Sequence, residues 1–346
     1  MKFVNFWGRA KTAMLFTGLL SLAAPIATPI ATAAPLDDLR HMSSQSVNQL
    51  NRAAADLTAQ VNEQLGAIPG SSQAQLPAAP APRVGNAKPA PFFVNGTGGQ
   101  VFTQSTGRTR RYLIEMPTHY NPARPAPVIF GFDGWRDSPE NFRRYSRLNE
   151  TGAAREAIRI YPESINHGWE GAPYAVVRPG EDLAFITQII DELDRTYNVD
   201  RRRIYATGHS NGGGMTAVVA CHLPHVFAGV AAVGGAYYDP VNMNCRNEAI
   251  PFLIMHGTGD TMMFYHGGYR HNGAHFLDVD HLMSSYIKRN ACAFPPRIEN
   301  IPGGQRHVYA CAKEELQLIT NSQNHTWNRT PDASQEVWNF LSRQRL

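Results

Sequence analysis

The sequence predicts an α/β fold with a mostly parallel central sheet and helices on both of its faces. Two observations predict this class. Short apolar runs of strand type alternate along the chain with longer segments of helical periodicity, which is the order expected when a parallel sheet is covered on both sides. One apolar run also breaks into Gly208-His-Ser210-Asn-Gly212 and resumes as a helix rich in small residues, a pattern typical of a strand that turns sharply into a helix.

The alternation of strands and helices begins near residue 111 and continues to the end of the chain. The predicted strands are Arg111–Glu115, Val128–Phe132, Ala157–Tyr161, Arg203–Thr207, Gly229–Val233, Phe252–His256 and the strand-like Leu316–Thr320. Four helices are predicted. The first is recognised by its apolar face at Leu183, Ile186, Ile190, Leu193 and Tyr197, and the others are Asn211–Cys221, Asp278–Lys288 and Asp332–Ser342. In such sheets the active site lies beyond the carboxyl ends of the strands, where Ser210 falls.

The region before this alternation differs from it in composition. Residues 1–34 start with a basic segment, continue as a short apolar stretch and end in small residues, which predicts a secretory signal peptide. The alternative, an uncleaved membrane anchor, is disfavoured by Pro25 and Pro29 and by the shortness of the apolar core. The chain is therefore expected outside the cytoplasm, secreted or in the cell envelope.

Three further segments follow the predicted signal peptide. Residues 35–66 carry apolar side chains at helical spacing and predict an amphipathic helix, which could contact an envelope surface or, as the simpler alternative, pack on its own domain. Residues 67–91 are rich in Pro and Ala and predict an extended linker. Residues 92–346 are long enough to form one catalytic domain with a sizeable core.

Charge and cysteine content limit the possible partners and cofactors. The formal net charge is +4, and without the basic residues of the predicted signal peptide about +1 remains, with no basic block, so no nucleic-acid partner is expected. The four cysteines predict two disulfides in an exported chain. Three pairings are possible, and closeness in sequence favours Cys221 with Cys245 and Cys292 with Cys311. No Cys-x-x-Cys spacing occurs, and neither a metal nor a cofactor is expected.

Ser210 is the candidate nucleophile. Glycines two residues to each side allow the sharp turn that holds a serine in a strained position with its hydroxyl clear of the backbone. A serine hydroxyl is a weak nucleophile, so it needs a neighbouring base and a third group that orients the base. In this type of fold those partners follow the serine in the order acid and then histidine.

Asp260 and His325 are the candidates for these two partners. Asp260 comes directly after an apolar strand, where a turn can present its carboxylate at the strand's carboxyl end; the alternative is an Asp that only caps the turn. His325 lies in a loop before the final helix and is chosen from thirteen histidines by this position. His209 is expected to point away from the nucleophile and His256 to be buried at a strand end. The cluster His266, His271, His275 and His281 favours a substrate-lining loop over a metal site.

These residues resemble secreted esterases of the polyhydroxybutyrate depolymerase and feruloyl esterase type, within the α/β-hydrolases. The resemblance covers about residues 111–346. It depends on the motifs Tyr197–Tyr205, Gly208–Met215, His222–Ala228, His256–Asp260 and Asn324–Trp327. The resemblance implies that Ser210 is the nucleophile, Asp260 the acid and His325 the base, and that Cys292 pairs with Cys311.

One segment departs from the family. Members usually carry His-Gly after the first core strand, whereas this chain has Gly131-Phe-Asp133-Gly134-Trp135. The oxyanion that forms during ester cleavage needs two backbone donors, which we assign to the amides of Asn211 and Trp135. A carboxylate at Asp133 would oppose the developing negative charge, so its side chain is expected to point away or to pair with a base such as Arg136.

Aromatic residues near the predicted site could form a cleft for a sugar, an aromatic group or a lipid. The candidates for substrate binding are Trp169, Tyr238, Tyr265 and Trp327, with Trp135 of the oxyanion loop as a further aromatic residue of the cleft, and the alternative for each is an ordinary core position. No lid or long apolar helix of the kind found in interfacial lipases is evident, which favours short or polar esters.

The sequence therefore predicts a secreted serine ester hydrolase that forms an acyl-enzyme. The expected substrates are carbohydrate-linked, hydroxycinnamoyl, acetyl or hydroxyalkanoate esters. Two alternatives stay open: a deacylase or acyltransferase that acts on an acylated cell-envelope glycolipid, and a non-catalytic binding module on a hydrolase fold.

Overall fold

The computed structural model describes residues Phe93–Leu346, which form a central sheet with helices packed on both faces. The predicted signal peptide, amphipathic helix and linker of residues 1–91 lie outside the described residues. None of the helices between Phe93 and Leu346 is both long and apolar enough to cross a lipid bilayer.

The sheet strands and the helices alternate through most of the described chain. The strands are β1 (Gly98–Ser105), β2 (Arg108–Glu115), β3 (Ala126–Phe132), β4 (Ile158–Pro162), β5 (Val199–His209), β6 (Gly229–Val233), β7 (Phe252–Gly257), β8 (Gly268–Arg270), β9 (Ala274–Phe276), β10 (Arg297–Ile301), β11 (Gly304–Tyr309) and β12 (Leu316–Asn321). The α-helices are α1 (Pro139–Ser146), α2 (Ala153–Glu156), α3 (Glu181–Thr196), α4 (Asn211–His222), α5 (Val279–Arg289) and α6 (Ala333–Leu341).

The main sheet has ten strands in the order β1-β2-β4-β3-β5-β6-β7-β12-β11-β10. Its six central strands, from β4 to β12, are parallel, and two antiparallel strands flank them at each edge. The strands β8 and β9 form a separate two-stranded sheet. The predicted α/β fold with a mostly parallel sheet is confirmed.

The two faces of the sheet have separate cores. In β3, Val128 and Phe130 belong to the core that includes α3, α4 and α5, whereas Ile129 belongs to the core that includes α1 and α6. Successive side chains of a strand point to opposite faces, so burial on both faces requires a continuous apolar run. All seven residues of β3 and all five of β6 are buried, which explains why these strands are recognisable in the sequence.

Two disulfides each close a short loop of this framework. Cys221, in the last turn of α4, is bonded to Cys245, and Cys292, which follows α5, is bonded to Cys311, which follows β11. These are the two pairs that closeness in sequence favours. The described residues contain no free cysteine.

Candidate active site

Ser210 lies between the end of β5 and the start of α4, at the carboxyl edge of the central strands. Its φ is 57° and its ψ is −118°, a strained conformation for a residue with a side chain. A Cβ atom at position 208 would overlap the carbonyl oxygen of Gly212, and a Cβ atom at position 212 would overlap the carbonyl oxygen of Phe132. Both glycines are therefore required for the close approach of strand and helix that produces this turn.

Asp260 lies in the turn after β7 and is almost completely buried. Its Oδ1 accepts hydrogen bonds from the backbone N–H groups of Met262 and Met263, both at 2.8 Å. Its Oδ2 accepts a side-chain hydrogen bond from Nδ1 of His325 at 2.7 Å. Nε2 of His256 lies 3.4 Å from the same Oδ2. Asp260 thus caps its own turn and also holds the ring of His325, so the two interpretations considered for it are compatible.

The charge of Asp260 follows from these contacts. Burial raises the pKa of its carboxyl, but the hydrogen bonds to His256 and His325 outweigh burial, so the pKa lies well below its usual value. The carboxylate is therefore ionised and accepts the Nδ1 proton of His325. That tautomer leaves Nε2 of His325 with a free lone pair, as a general base requires.

The ring of His209 packs against the ring of His325. The two ring centroids are 4.9 Å apart, and the Trp327 indole lies perpendicular to the His209 ring with a centroid separation of 6.4 Å. Burial and the nearby His325 lower the pKa of His209 to about 3, so its ring is neutral. Because His209 precedes Ser210, this stacking places His325 beside the turn; among the described residues, however, no hydrogen bond joins it to Ser210 Oγ.

The two proposed oxyanion donors lie on separate elements that meet at Ser210. Asn211 is the first residue of α4, where backbone N–H groups lack acceptors within the helix. Trp135 follows Gly134, and a Cβ atom at position 134 would lie 3.4 Å from Cβ and 3.9 Å from Oγ of Ser210. The loop after β3 therefore passes directly by the serine, which is the location that an oxyanion hole requires.

Asp133 does not pair with Arg136, which was one of the two expectations for its side chain. The Asp133 side chain is buried, and its Oδ1 accepts a hydrogen bond from Nε1 of Trp169 at 2.9 Å. Its Oδ2 has no partner among the described residues. Arg136 instead lies over the Trp135 ring, 4.2 Å from its centroid. Burial raises the pKa of Asp133 well above its usual value, which disfavours the charged carboxylate at this position.

The four aromatic residues predicted to line a cleft are buried and bonded to protein partners. Trp169 is fully buried, Tyr265 donates its hydroxyl proton to Asp280, and Nε1 of Trp327 donates to Ser334. Tyr238 is also buried, with its hydroxyl 2.5 Å from Nδ1 of His271. Their burial favours the alternative considered for each of them, an ordinary core position.

A different aromatic cluster, Trp135, Tyr174 and His271, lies at the oxyanion loop and is partly exposed. The rings of Trp135 and Tyr174 stack with centroids 4.5 Å apart, and His271 packs edge-on against Trp135 at 4.6 Å. The sequence singles out His271 only as a member of a histidine cluster. Tyr174 lies between β4 and α3 in a segment without periodicity, so no sequence signal identifies it.

Comparisons with known proteins agree with this geometry. The family model described as Esterase matches residues 103–336. Feruloyl esterase D from Neurospora crassa is 25% identical over 291 residues, covering 77% of this chain and 92% of that protein. Feruloyl esterase C from Emericella nidulans is 28% identical over 193 residues, which are 53% of this chain and 63% of that protein.

A solved structure supports the fold. The acetyl xylan esterase from Aspergillus awamori aligns with 71% of this chain and 100% of its own, with a TM-score of 0.55 and 15% identity. This likeness bears on the fold, whereas the family match covers most of the sheet, the Ser210 turn and the Asp260–His325 pair. The chain therefore belongs to the Esterase family and is a carboxylic-ester hydrolase with the α/β-hydrolase fold.

Proposed function

We propose that this esterase works through a catalytic triad of Ser210, His325 and Asp260. The observation that carries the proposal is the 2.7 Å hydrogen bond between Asp260 and His325, placed beside a serine in a strained strand-to-helix turn. The pairing supplies an oriented imidazole next to a hydroxyl, which is what activates a serine nucleophile.

The proposed reaction has two halves. Oγ of Ser210 attacks the ester carbonyl carbon while Nε2 of His325 takes the hydroxyl proton, and the resulting oxyanion lies between the N–H groups of Asn211 and Trp135. The bond to the alcohol oxygen then breaks as His325 returns its proton to that oxygen, which leaves an acyl-serine. Water, deprotonated by His325, attacks the acyl carbon, and the carboxylic acid leaves as Ser210 regains its proton.

For the substrate we propose hydroxycinnamoyl esters of carbohydrates. Two of the most similar relatives are feruloyl esterases, and the cluster of Trp135, Tyr174 and His271 offers an aromatic surface next to the oxyanion loop. Stacked and edge-on aromatic pairs gain about 0.5–1.5 kcal/mol beyond the burial of their area. Acetyl and hydroxyalkanoate groups have no ring to make these contacts, so they rank below an aromatic acyl group.

We further propose that the enzyme is exported. Residues 1–34 would serve as the signal peptide, and residues 35–66 and 67–91 would form a helical segment and a linker before the catalytic domain. The support comes from the leader-like composition and from two disulfides, which persist in oxidising compartments.

The triad is tested by three substitutions, each assayed on methyl ferulate and p-nitrophenyl acetate. Ser210→Ala and His325→Ala should abolish nearly all turnover, and Asp260→Asn should lower kcat by about 10⁴-fold because the imidazole loses its oriented tautomer. Ser284→Ala, on the exposed side of α5, and His119→Ala, at an exposed position after β2, are the matched controls. Wild-type turnover in Ser210→Ala or His325→Ala would disprove the assignment. A kcat/KM for methyl ferulate no higher than that for p-nitrophenyl acetate, after correction for leaving-group reactivity, would argue against the substrate class.

A further inference from the structure

The two oxyanion donors belong to different elements, so something must fix the distance between them. Trp169 makes direct contact with both elements. Its backbone N–H donates to Oδ1 of Asn211 at 2.8 Å. Its indole Nε1 donates to Oδ1 of Asp133 at 2.9 Å and to the carbonyl oxygen of the same residue at 3.1 Å. One residue therefore ties the start of α4 to the loop that carries Trp135.

Trp169 is itself held rigidly. Its side chain is completely buried, and its ring packs edge-to-face against Phe132, with centroids 5.2 Å apart. The next backbone N–H, that of Glu170, donates to Oδ2 of Asp182 at 2.8 Å. Asp182 in turn forms a buried salt bridge with Arg110. The link between the donors is thus anchored to the helix–sheet interface and does not depend on a surface loop.

The protonation of Asp133 matters for this arrangement. Trp169 supplies one N–H to this residue, shared between Oδ1 and the carbonyl oxygen, and no positive charge, and Oδ2 lacks a partner among the described residues. A buried carboxylate without a cation is costly, and burial raises the pKa of Asp133, so the folded protein disfavours the charged form of this acid. A neutral acid also avoids placing a negative charge beside the site where the oxyanion forms.

We infer that Trp169 and Asp133 are positioning residues for the oxyanion hole: their hydrogen bond holds the loop of Trp135 at the right distance from Asn211. The inference rests on the proposed function, since it presupposes that Ser210 forms a tetrahedral intermediate there. Neither residue touches the substrate in this scheme. Their loss should therefore lower kcat and leave KM nearly unchanged, because only transition-state contacts are weakened.

The first test is Trp169→Phe, which keeps an aromatic ring and removes the indole N–H. We expect kcat on p-nitrophenyl acetate to fall about 10- to 100-fold, with KM within about two-fold of wild type. The fall in kcat should not exceed the fall caused by deletion of one oxyanion-hole donor. Trp338→Phe is the matched control, because it makes the same exchange at a buried tryptophan of α6. The control should leave both constants unchanged.

The second test separates the hydrogen bond from the charge. Asp133→Asn keeps an acceptor for the indole without any ionisable group, so its kcat should stay near wild type. Asp133→Leu has a similar branched shape and no side-chain acceptor, and it keeps only the 3.1 Å bond from the indole to the carbonyl oxygen of residue 133, so its kcat should fall, by no more than in Trp169→Phe. The double variant Trp169→Phe/Asp133→Leu should be no slower than the worse single variant, because both remove the same bond.

The outcomes distinguish this inference from the proposed function. Wild-type kcat in Trp169→Phe, or equal kcat in Asp133→Asn and Asp133→Leu, would overturn the inference while an inactive Ser210→Ala variant upholds the triad. An active Ser210→Ala variant would instead overturn the proposed function. If Trp169→Phe does not fold, as judged by circular dichroism, the comparison of the two Asp133 variants decides the question alone.

Discussion

Glu170 provides a quantitative test of the buried network behind the oxyanion loop. Its side chain is 3% exposed, its Oε2 accepts the backbone N–H of Gly180, and its Oε1 has no partner among the described residues. Burial, followed by repulsion from Asp182, raises the pKa of Glu170 from 4.5 to about 7. The folded protein therefore holds a proton on this residue that the unfolded chain releases at lower pH.

The sign of the effect follows from proton linkage. Between pH 4.5 and about 7 the unfolded chain binds fewer protons at this position than the folded protein, so stability falls as the pH rises through this window. At about 1.4 kcal/mol per pH unit, the raised pKa lowers the free energy of unfolding by about 3 kcal/mol across the window. Below pH 4.5 both states are protonated and the effect vanishes.

The perturbation is Glu170→Gln, since glutamine mimics the protonated acid and its carbonyl oxygen can accept the N–H of Gly180. Urea unfolding followed by tryptophan fluorescence at intervals from pH 4.5 to 8 measures the free energy of unfolding. The free energy of unfolding of Glu170→Gln should exceed that of wild type by an amount that grows with pH and reaches up to about 3 kcal/mol over this range. Glu156→Gln, which removes an exposed carboxylate, controls for the loss of one charge. A difference between Glu170→Gln and wild type that stays constant with pH would refute the reasoning.

Three more predictions follow from the same structure. Asp133→Asn should become progressively more stable than wild type as the pH rises above about 4, because burial raises the pKa of the acid in the folded state; urea unfolding measures the gap, and a constant gap would contradict it. Replacing Cys292 and Cys311 by serine opens a loop of sequence separation 19, which should cost about 3 kcal/mol and lower the Tm, and unchanged melting would contradict this. Deleting residues 35–88 should leave turnover of p-nitrophenyl acetate nearly unchanged; a large drop with intact circular dichroism would show that the segment contributes to the catalytic domain.

The sequence identifies the central strands because their burial on both faces demands unbroken apolar runs. The predicted bounds of β6 coincide with the observed ones, and β7 differs by one residue. The edge strands were missed for the opposite reason. In β1 and β10 few side chains are buried, so their sequences carry little apolar periodicity. The hairpin of β8 and β9 is too short to show any.

In the candidate site, too, some positions are predictable from the local sequence and others are not. The positions of Ser210 and Asp260 follow from local rules, since each lies in a turn directly after a strand end. The role of Trp169 does not, because its partners Asp133 and Asn211 are 36 and 42 residues away in the chain. Only the packed structure shows that one residue contacts both elements, with its indole on Asp133 and its backbone N–H on Asn211.

The small sheet of β8 and β9 suggests how substrate preference could change in this enzyme. It lies in the chain between Asp260 and α5, is separate from the main sheet, and carries His271 at its turn. Exchange of this hairpin would alter the aromatic cluster at the oxyanion loop without moving a single strand end that presents a reacting group. Evolution, or a protein engineer, could therefore retune which acyl group is accepted by grafting about a dozen residues, while the chemistry of ester cleavage stays the same.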